Sequence, residues 1–206
     1  MKRIIAATKN RHKIKEIEAI TSQFGMNIIS WDDAGVPDVE IPEDGDTFEE
    51  NSYKKAYGIM ELSGEITVAD DSGLEVDYLD GAPGIYSARF AGEGATDDKN
   101  NEKLLQLMKD VPFEQRTARF VSVITMVFPD GKSVVARGTV EGHLAYELKG
   151  ERGFGYDPMF IPEGYSETMG EISGEEKNRI SHRANALKVL REKLREEFGD
   201  FEASGK

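Results

Sequence analysis

The chain has 206 residues, with 26 Lys plus Arg against 39 Asp plus Glu, and carries a net charge of −13 at pH 7. At 38% hydrophobic and 32% charged it has neither a disordered nor a membrane-spanning composition, and its first residues, Met1 to Ile5, are too brief for a signal peptide, so a soluble, cytoplasmic protein with no membrane partner is expected. With no Cys there can be no disulfide, thiolate nucleophile or Cys-ligated zinc, and the acidic balance argues against a nucleic-acid partner while leaving room for a small phosphorylated ligand.

Arg3 to Ala7 reads as a buried strand, Lys13 to Phe24 as a helix with Ile14, Ile17, Ile20 and Phe24 on one face and Gly25 as its stop, and Met26 to Trp31 as a second strand. This opening is a βαβ unit and predicts a parallel or mixed sheet. An acidic loop follows. Thr47-Phe48-Glu49-Glu50 matches a capping box, with a helical stripe of Tyr53, Ala56, Tyr57 and Met60 behind it that ends near Gly64. Ile66 to Ala69 is a strand, Asp70-Asp71-Ser72-Gly73 the loop it runs into, and Glu75 to Leu79 a further short strand. Thr96 to Lys109 is a helix. Arg116 to Phe128 and Ser133 to Gly142 form a long hairpin through Pro129-Asp130-Gly131-Lys132. A Gly-rich loop, Gly153 to Pro158, precedes a short strand at Met159 to Ile161. The last helix starts near Ser181 and buries Leu187, Leu190 and Leu194, and a frayed tail closes the chain. The sum is an α/β fold with an elongated mixed β-sheet and flanking helices: residues 1–198 as one domain in two lobes, and 199–206 as a tail expected to be disordered.

Charge is segregated along the chain. Residues 1 to 15 carry Lys2, Arg3, Lys9, Arg11, Lys13 and Lys15 and no acid, whereas residues 31 to 50 are rich in Asp and Glu and have no base. Brought together they would set a cationic pocket against carboxylates, the layout a metal-bound polyphosphate needs; left apart they are ordinary solvated surface. The three His (His12, His143, His182) are far apart in sequence, so any metal would be held by carboxylates and be Mg²⁺-like.

Five constellations carry chemistry, and each also has a plain structural account. Thr8-Lys9-Asn10-Arg11-His12-Lys13 joins a strand end to a helix start, where amide N–H groups favour an anion, although Thr or Asn there can simply cap the helix. Of the adjacent acids Asp70 and Asp71 at most one can face a site on a given side; that carboxylate could bind Mg²⁺ and deprotonate water, or the segment is an Asp turn with Gly73 at positive φ. Glu43, Asp44 and Asp46, with Glu50, could donate a second metal ligand or cap the helix. Gly153-Phe154-Gly155-Tyr156-Asp157-Pro158 suits a backbone close to a flat ring with Phe154 stacking, or a tight turn packed on core aromatics. Lys177 is followed by Ser181-His182-Arg183, where Ser181 reads as an N-cap and a cation in the first helical turn gains nothing from the helix dipole.

In this order and spacing the segments resemble the inosine triphosphate pyrophosphatase family, the XTP/dITP diphosphatases, over roughly Ile4 to Leu194. The most specific pieces are Thr8-x-Asn10-x-x-Lys13, Thr47-Phe48-Glu49-Glu50-Asn51, Ala69-Asp70-Asp71-Ser72-Gly73-Leu74, the block from Gly81 to Arg89, Phe154-Gly155-Tyr156-Asp157-Pro158 and Ser181-His182-Arg183. The resemblance implies two lobes around a central cleft, a homodimer, and Mg²⁺-dependent hydrolysis of non-canonical purine nucleoside triphosphates (ITP, dITP, XTP) to the monophosphate and pyrophosphate. Motif by motif it implies that Thr8, Lys9, Asn10, Arg11, His12 and Lys13 hold the triphosphate, with Lys55 a nearby cation. Asp71 would be general base and metal ligand, Ser72 a substrate contact, and Glu43 the second metal carboxylate, with Glu40 or Asp44 open as substitutes in that acid-rich loop. Phe154, Gly155, Tyr156, Asp157, Lys177, His182 and Arg183 would form the base pocket. The competing expectations are a related nucleotide pyrophosphatase for other modified nucleotides and a non-catalytic nucleotide-binding module.

Overall fold

The computed structural model describes residues 3–22 and 26–199. Phe24 and Gly25, expected to close the first helix, and the tail from residue 200 lie outside the described residues. Six strands, β1 (Arg3–Ala6), β2 (Asn27–Ser30), β3 (Thr67–Val76), β4 (Thr117–Val127), β5 (Ser133–Leu144) and β6 (Phe160–Pro162), form one sheet in the order β2-β1-β3-β4-β5-β6. The helices are α1 (Arg11–Thr21), α2 (Phe48–Ser63), α3 (Asp97–Leu107), α4 (Gly174–Ile180) and α5 (His182–Phe198). The sheet is mixed, as expected: β1 runs parallel to β2 (Ile4 opposite Ile28) and to β3 (Ile5 opposite Thr67), and β5 is antiparallel to β6 (His143 opposite Ile161). No helix among the described residues is long and apolar enough to cross a membrane.

Local sequence sets the helix ends. Asn10 caps α1, its side-chain oxygen accepting from the N–H of His12 (2.9 Å) and Lys13 (3.2 Å). Thr47 caps α2 by accepting from the Glu50 N–H at 3.1 Å. The return arm of the capping box reaches one residue further back than the motif implies, because the Glu50 carboxylate takes the Asp46 N–H (2.7 Å). Gly64, at φ +66°, ends α2 in the left-handed region that a residue with a Cβ disfavours.

Two features depart from the sequence pattern, the course of the chain from Asp70 to Leu79 and one helix. The strand expected at Glu75 to Leu79 is not separate, because Glu75 and Val76 end β3 and Asp77–Leu79 is a short 3-10 turn. Asp70 to Gly73 is no turn: β3 is one unbroken strand of 10 residues, and Gly73 is not among the glycines with positive φ. The turn-forming tendency of Asp and Ser is overridden because Asp70 finds its partners on other elements, described below. The second is α4, which the sequence pattern does not announce. It is 7 residues long, has no apolar stripe, and opens with Gly174 behind a Ser173 cap that accepts from the Glu176 N–H.

The chain forms two compact units, Met1–Asp71 with Ser122–Gly138 and Arg183–Lys206, and Ser72–Val121 with Thr139–His182. In the first unit the pleat sorts alternate residues to opposite faces of the sheet. Ile4, Ala6, Val68, Ile124 and Met126 pack with Ile17 and Ile20 of α1 and Ala186, Leu187, Leu190 and Leu194 of α5. Ile5, Ala7, Ala69 and Val127 pack instead with Ala56, Ile59 and Met60 of α2. In the second unit Leu74, Val76, Phe120 and Leu144 pack with Leu104 and Met108 of α3 and with Tyr156, Met159 and Phe160. Here Arg116 is buried as a staple, donating to the carbonyls of Met108 (2.5 Å), Leu144 (2.7 Å) and Ala145 (2.6 Å), with Tyr146 stacked 4.5 Å from its guanidinium.

Candidate active site

The alternation that builds the first core continues into the paired acids. Asp70 shares the parity of Val68, so it faces α1 and α5; Asp71 shares that of Ala69, so it faces α2. Their surroundings differ accordingly. One Asp70 oxygen accepts from the Ser122 hydroxyl at 2.5 Å, and the other meets the Lys13 ammonium at 2.8 Å and the Arg183 guanidinium at 3.0 Å. Arg183 also pairs with Glu16. Burial opposes the charge on Asp70, yet Arg183 and Lys13, with the Ser122 hydroxyl, overcome it and hold the carboxyl well below the usual carboxylate range.

Asp71 pairs with the ammonium of Lys55. Lys55 of α2 approaches its carboxylate at 2.8 Å, the Asp70 carbonyl at 3.1 Å and Glu43 at 3.4 Å. Burial pushes the Asp71 carboxyl above its ordinary value; Lys55 offsets part of that rise and the Glu43 charge adds to it. Burial works against the Lys55 charge, but Asp71 and Glu43 reverse the balance and hold its pKa above the ordinary value. Two neighbours in sequence thus have opposite pKa shifts, Asp70 held in its charged form and Asp71 raised above its ordinary value, the separation that acid–base chemistry exploits.

In the second unit the loop Gly153 to Pro158 is tied to itself and to α4. The Asp157 carboxylate accepts from the Phe154 N–H (2.8 Å) and pairs with Lys177 at 2.6 Å. Lys177 in turn stands 4.9 Å from the centre of the Phe154 ring. Gly153 is obligatory here, since a Cβ would fall 2.0 Å from an Asp157 oxygen and its φ is +80°. Tyr156 turns its ring into the core and donates its hydroxyl to the Ser87 carbonyl (2.8 Å), and burial with the nearby Asp97 raises its pKa. His182 stacks on Phe120, ring centres 4.9 Å apart.

The sequence pattern that defines the Ham1 family is matched over residues 4–193. The chain belongs to the Ham1 family. Curated relatives called dITP/XTP pyrophosphatase include one from Clostridium perfringens, 50% identical over 95% of this chain and 98% of its own length, and one from Bacillus cereus, 45% identical over 96% and 97%. The solved Ham1 protein of Staphylococcus aureus is 42% identical with a TM-score of 0.83, covering 95% of this chain and 100% of that one. The Ham1 protein of Coxiella burnetii is 36% identical with a TM-score of 0.84, over 95% and 100%.

Within this Ham1 chain the predicted site residues fall into three groups. Lys13, Arg183 and Asp70 form one, Lys55, Asp71 and Glu43 a second, and Phe154, Asp157 and Lys177 a third. The basic and acidic segments do meet, since Lys9 pairs with Asp38. Of the acidic loop, Glu43 is the residue against Lys55, while Asp44 pairs with exposed Lys54 at 2.7 Å and Glu40 is exposed. Arg11 and His12 are exposed, Thr8 accepts from the Asn10 N–H at 3.2 Å, and Ser72 continues β3. Arg183, expected in the base pocket, belongs to the first unit and is buried against Asp70 and Glu16. Ser122 escaped the sequence reading, although a hydroxyl inside the apolar run of β4 was its signal, and so did Asn100 and Asn101, amides in the body of α3.

Proposed function

We propose that this protein hydrolyses dITP, XTP and ITP to the nucleoside monophosphate and pyrophosphate, with Asp71 as general base. The observation that carries the reading is the Asp71–Lys55–Glu43 cluster, in which a buried carboxylate has its proton affinity raised beside a cation suited to phosphate. The family membership and the names of the curated relatives agree with it.

Among the described residues no group of three or more metal-ligating side chains stands preassembled. That fits Mg²⁺, which is commonly held by one or two carboxylates with substrate phosphates completing its shell. Glu43 and Asp71 present hard oxygen donors at one ammonium, so they would hold the ion, and bound there it would neutralise phosphate charge. The chain's own groups do the rest. Asp71 accepts the proton of a water that attacks the phosphorus next to the sugar, and the bond from that phosphorus to the bridging oxygen breaks to release pyrophosphate. Lys55 offsets the developing charge. Lys13, its side chain 15% exposed, is the cation of this cluster that would reach towards phosphate, and Asp70 keeps Ser122 and Arg183 when it does.

Phe154 supplies the stacking face for the base. Lys177, held by Asp157 at 2.6 Å, is the donor that would meet the 6-oxo group of hypoxanthine or xanthine. Adenine presents an amino group there, leaving donor against donor, and such a mismatch discriminates strongly. The family resemblance also supports a homodimer, which sedimentation would test. The decisive assay is pyrophosphate release with Mg²⁺ from dITP, XTP and ITP against dATP and dGTP. Turnover of the first three with dATP refused is expected, and equal or absent turnover of all five overturns the reading.

A further inference from the structure

Asn100 and Asn101 are buried in α3, although Asn is a poor helix former because its amide competes for backbone groups. In this helix the competition is directed outward. Asn100 accepts from the Ala91 N–H (2.7 Å) and donates to the Ala88 carbonyl (3.1 Å), fixing the end of the short helix Gly84–Arg89 and the residues just after it. Asn101 donates to the Gly155 carbonyl at 2.8 Å. Asp97, four residues earlier on the same helix face, accepts the Gly155 N–H at 2.7 Å. Both polar groups of the Gly155 backbone are therefore taken by one helix, with Gly155 at φ +62° between them. The neighbouring residues are anchored independently, Phe154 through its N–H to Asp157 and Tyr156 through its hydroxyl to Ser87. The Gly155 pair ties the backbone following Phe154 to α3, beside the Phe154 carbonyl, which accepts from the Asp157 N–H at 3.3 Å.

We propose that Asp97 and Asn101 are positioning residues that clamp Gly155, set the Phe154 ring, and thereby govern affinity for the base of the substrate. The inference rests on the reading that this loop receives the base. A stacking ring is sensitive to placement, and displacement by an ångström can cost a large factor in binding and rate. Both clamp residues act on the loop that is read as receiving the base, so the effect is confined to ligands that carry a base.

The test is steady-state kinetics on dITP, with inorganic triphosphate, which has no base, as competitive inhibitor, for D97A, D97N, N101A and F154A. D97A and N101A are expected to raise KM for dITP about tenfold with kcat within about threefold of wild type. Inhibition by inorganic triphosphate stays at the wild-type level. D97N keeps an oxygen acceptor for the Gly155 N–H and recovers most of the affinity. If F154A raises KM while D97A and N101A do not, the clamp is overturned. It is equally overturned if triphosphate inhibition weakens in step with KM, the mark of a general structural defect. If F154A too leaves KM unmoved, the base-loop reading falls and the clamp with it. Asp97 is exposed, so should N101A fail to fold, the contrast between D97A and D97N decides alone.

Discussion

Exchanging each of the adjacent acids for its amide should change stability by unequal amounts. Asp70→Asn removes the negative charge that balances Lys13 and Arg183, and breaking a buried pair by deleting one partner costs about 3–5 kcal/mol. Arg183 retains Glu16, and the Lys13 side chain, 15% exposed, reaches solvent, which places the loss at about 3 kcal/mol. For a chain of this size that is a fall in Tm of about 6–12 °C. The pH dependence follows from linkage. The Asp70 carboxyl is depressed in the folded state, so its stabilisation is fully present above the ordinary value of 3.8 and is lost as pH falls from there towards the folded value. The gap between wild type and D70N should accordingly be flat from neutral pH down to the approach to that value and narrow below it. Asp71 differs: burial already raises its pKa, and Lys55 keeps Glu43 when Asp71 is neutralised, so D71N should cost less than D70N at pH 7. Urea unfolding across pH, in EDTA to keep metal out of the comparison, measures all three proteins. A D70N variant within about 0.5 kcal/mol of wild type, or a gap that does not narrow on acidification, would refute the assignment of Asp70 as the locked charge.

Other outcomes can be checked alongside. D71N should lower kcat by about 10³-fold, within the range for loss of a general base, while dITP binding measured by calorimetry persists. Glu43→Gln should raise the Mg²⁺ concentration for half-maximal turnover about tenfold, whereas Glu40→Gln and Asp44→Asn should leave it in place; a shift in either of those relocates the second carboxylate. Arg116→Met strips the donor from four buried carbonyls and should destabilise by about 3 kcal/mol in denaturant titrations, without a specific change in KM.

Much of the fold was legible because it rests on local periodicity. The βαβ opening, the capped helix after Thr47 and the long hairpin each follow from apolar spacing and turn chemistry within a few residues. The continuity of β3 through Asp70 to Gly73 was not legible: it depends on Ser122, Lys13 and Arg183, which come from three other parts of the chain. The candidate site divides in the same way. Asp71, Lys55 and Glu43 were reached through the motifs, whereas Asp97 and Asn101 act on a glycine more than fifty residues away, and no pattern on their own helix names that target. Asn in a helix interior was the available clue, and only the fold says what the amide is for.

The parity of β3 has a genetic consequence. Residues on a strand are read in steps of two, so losing or gaining a single codon between Ile66 and Ala69 would present each carboxylate to the opposite layer. The residue meant for Lys13 and Arg183 would then confront Lys55, and the residue meant for Lys55 would be trapped between two cations. A two-codon change preserves facing and alters only how far the acids sit along the strand. Natural variation in this stretch should therefore proceed by substitution, with length held fixed, and directed-evolution libraries that randomise loop lengths should leave 66–71 untouched.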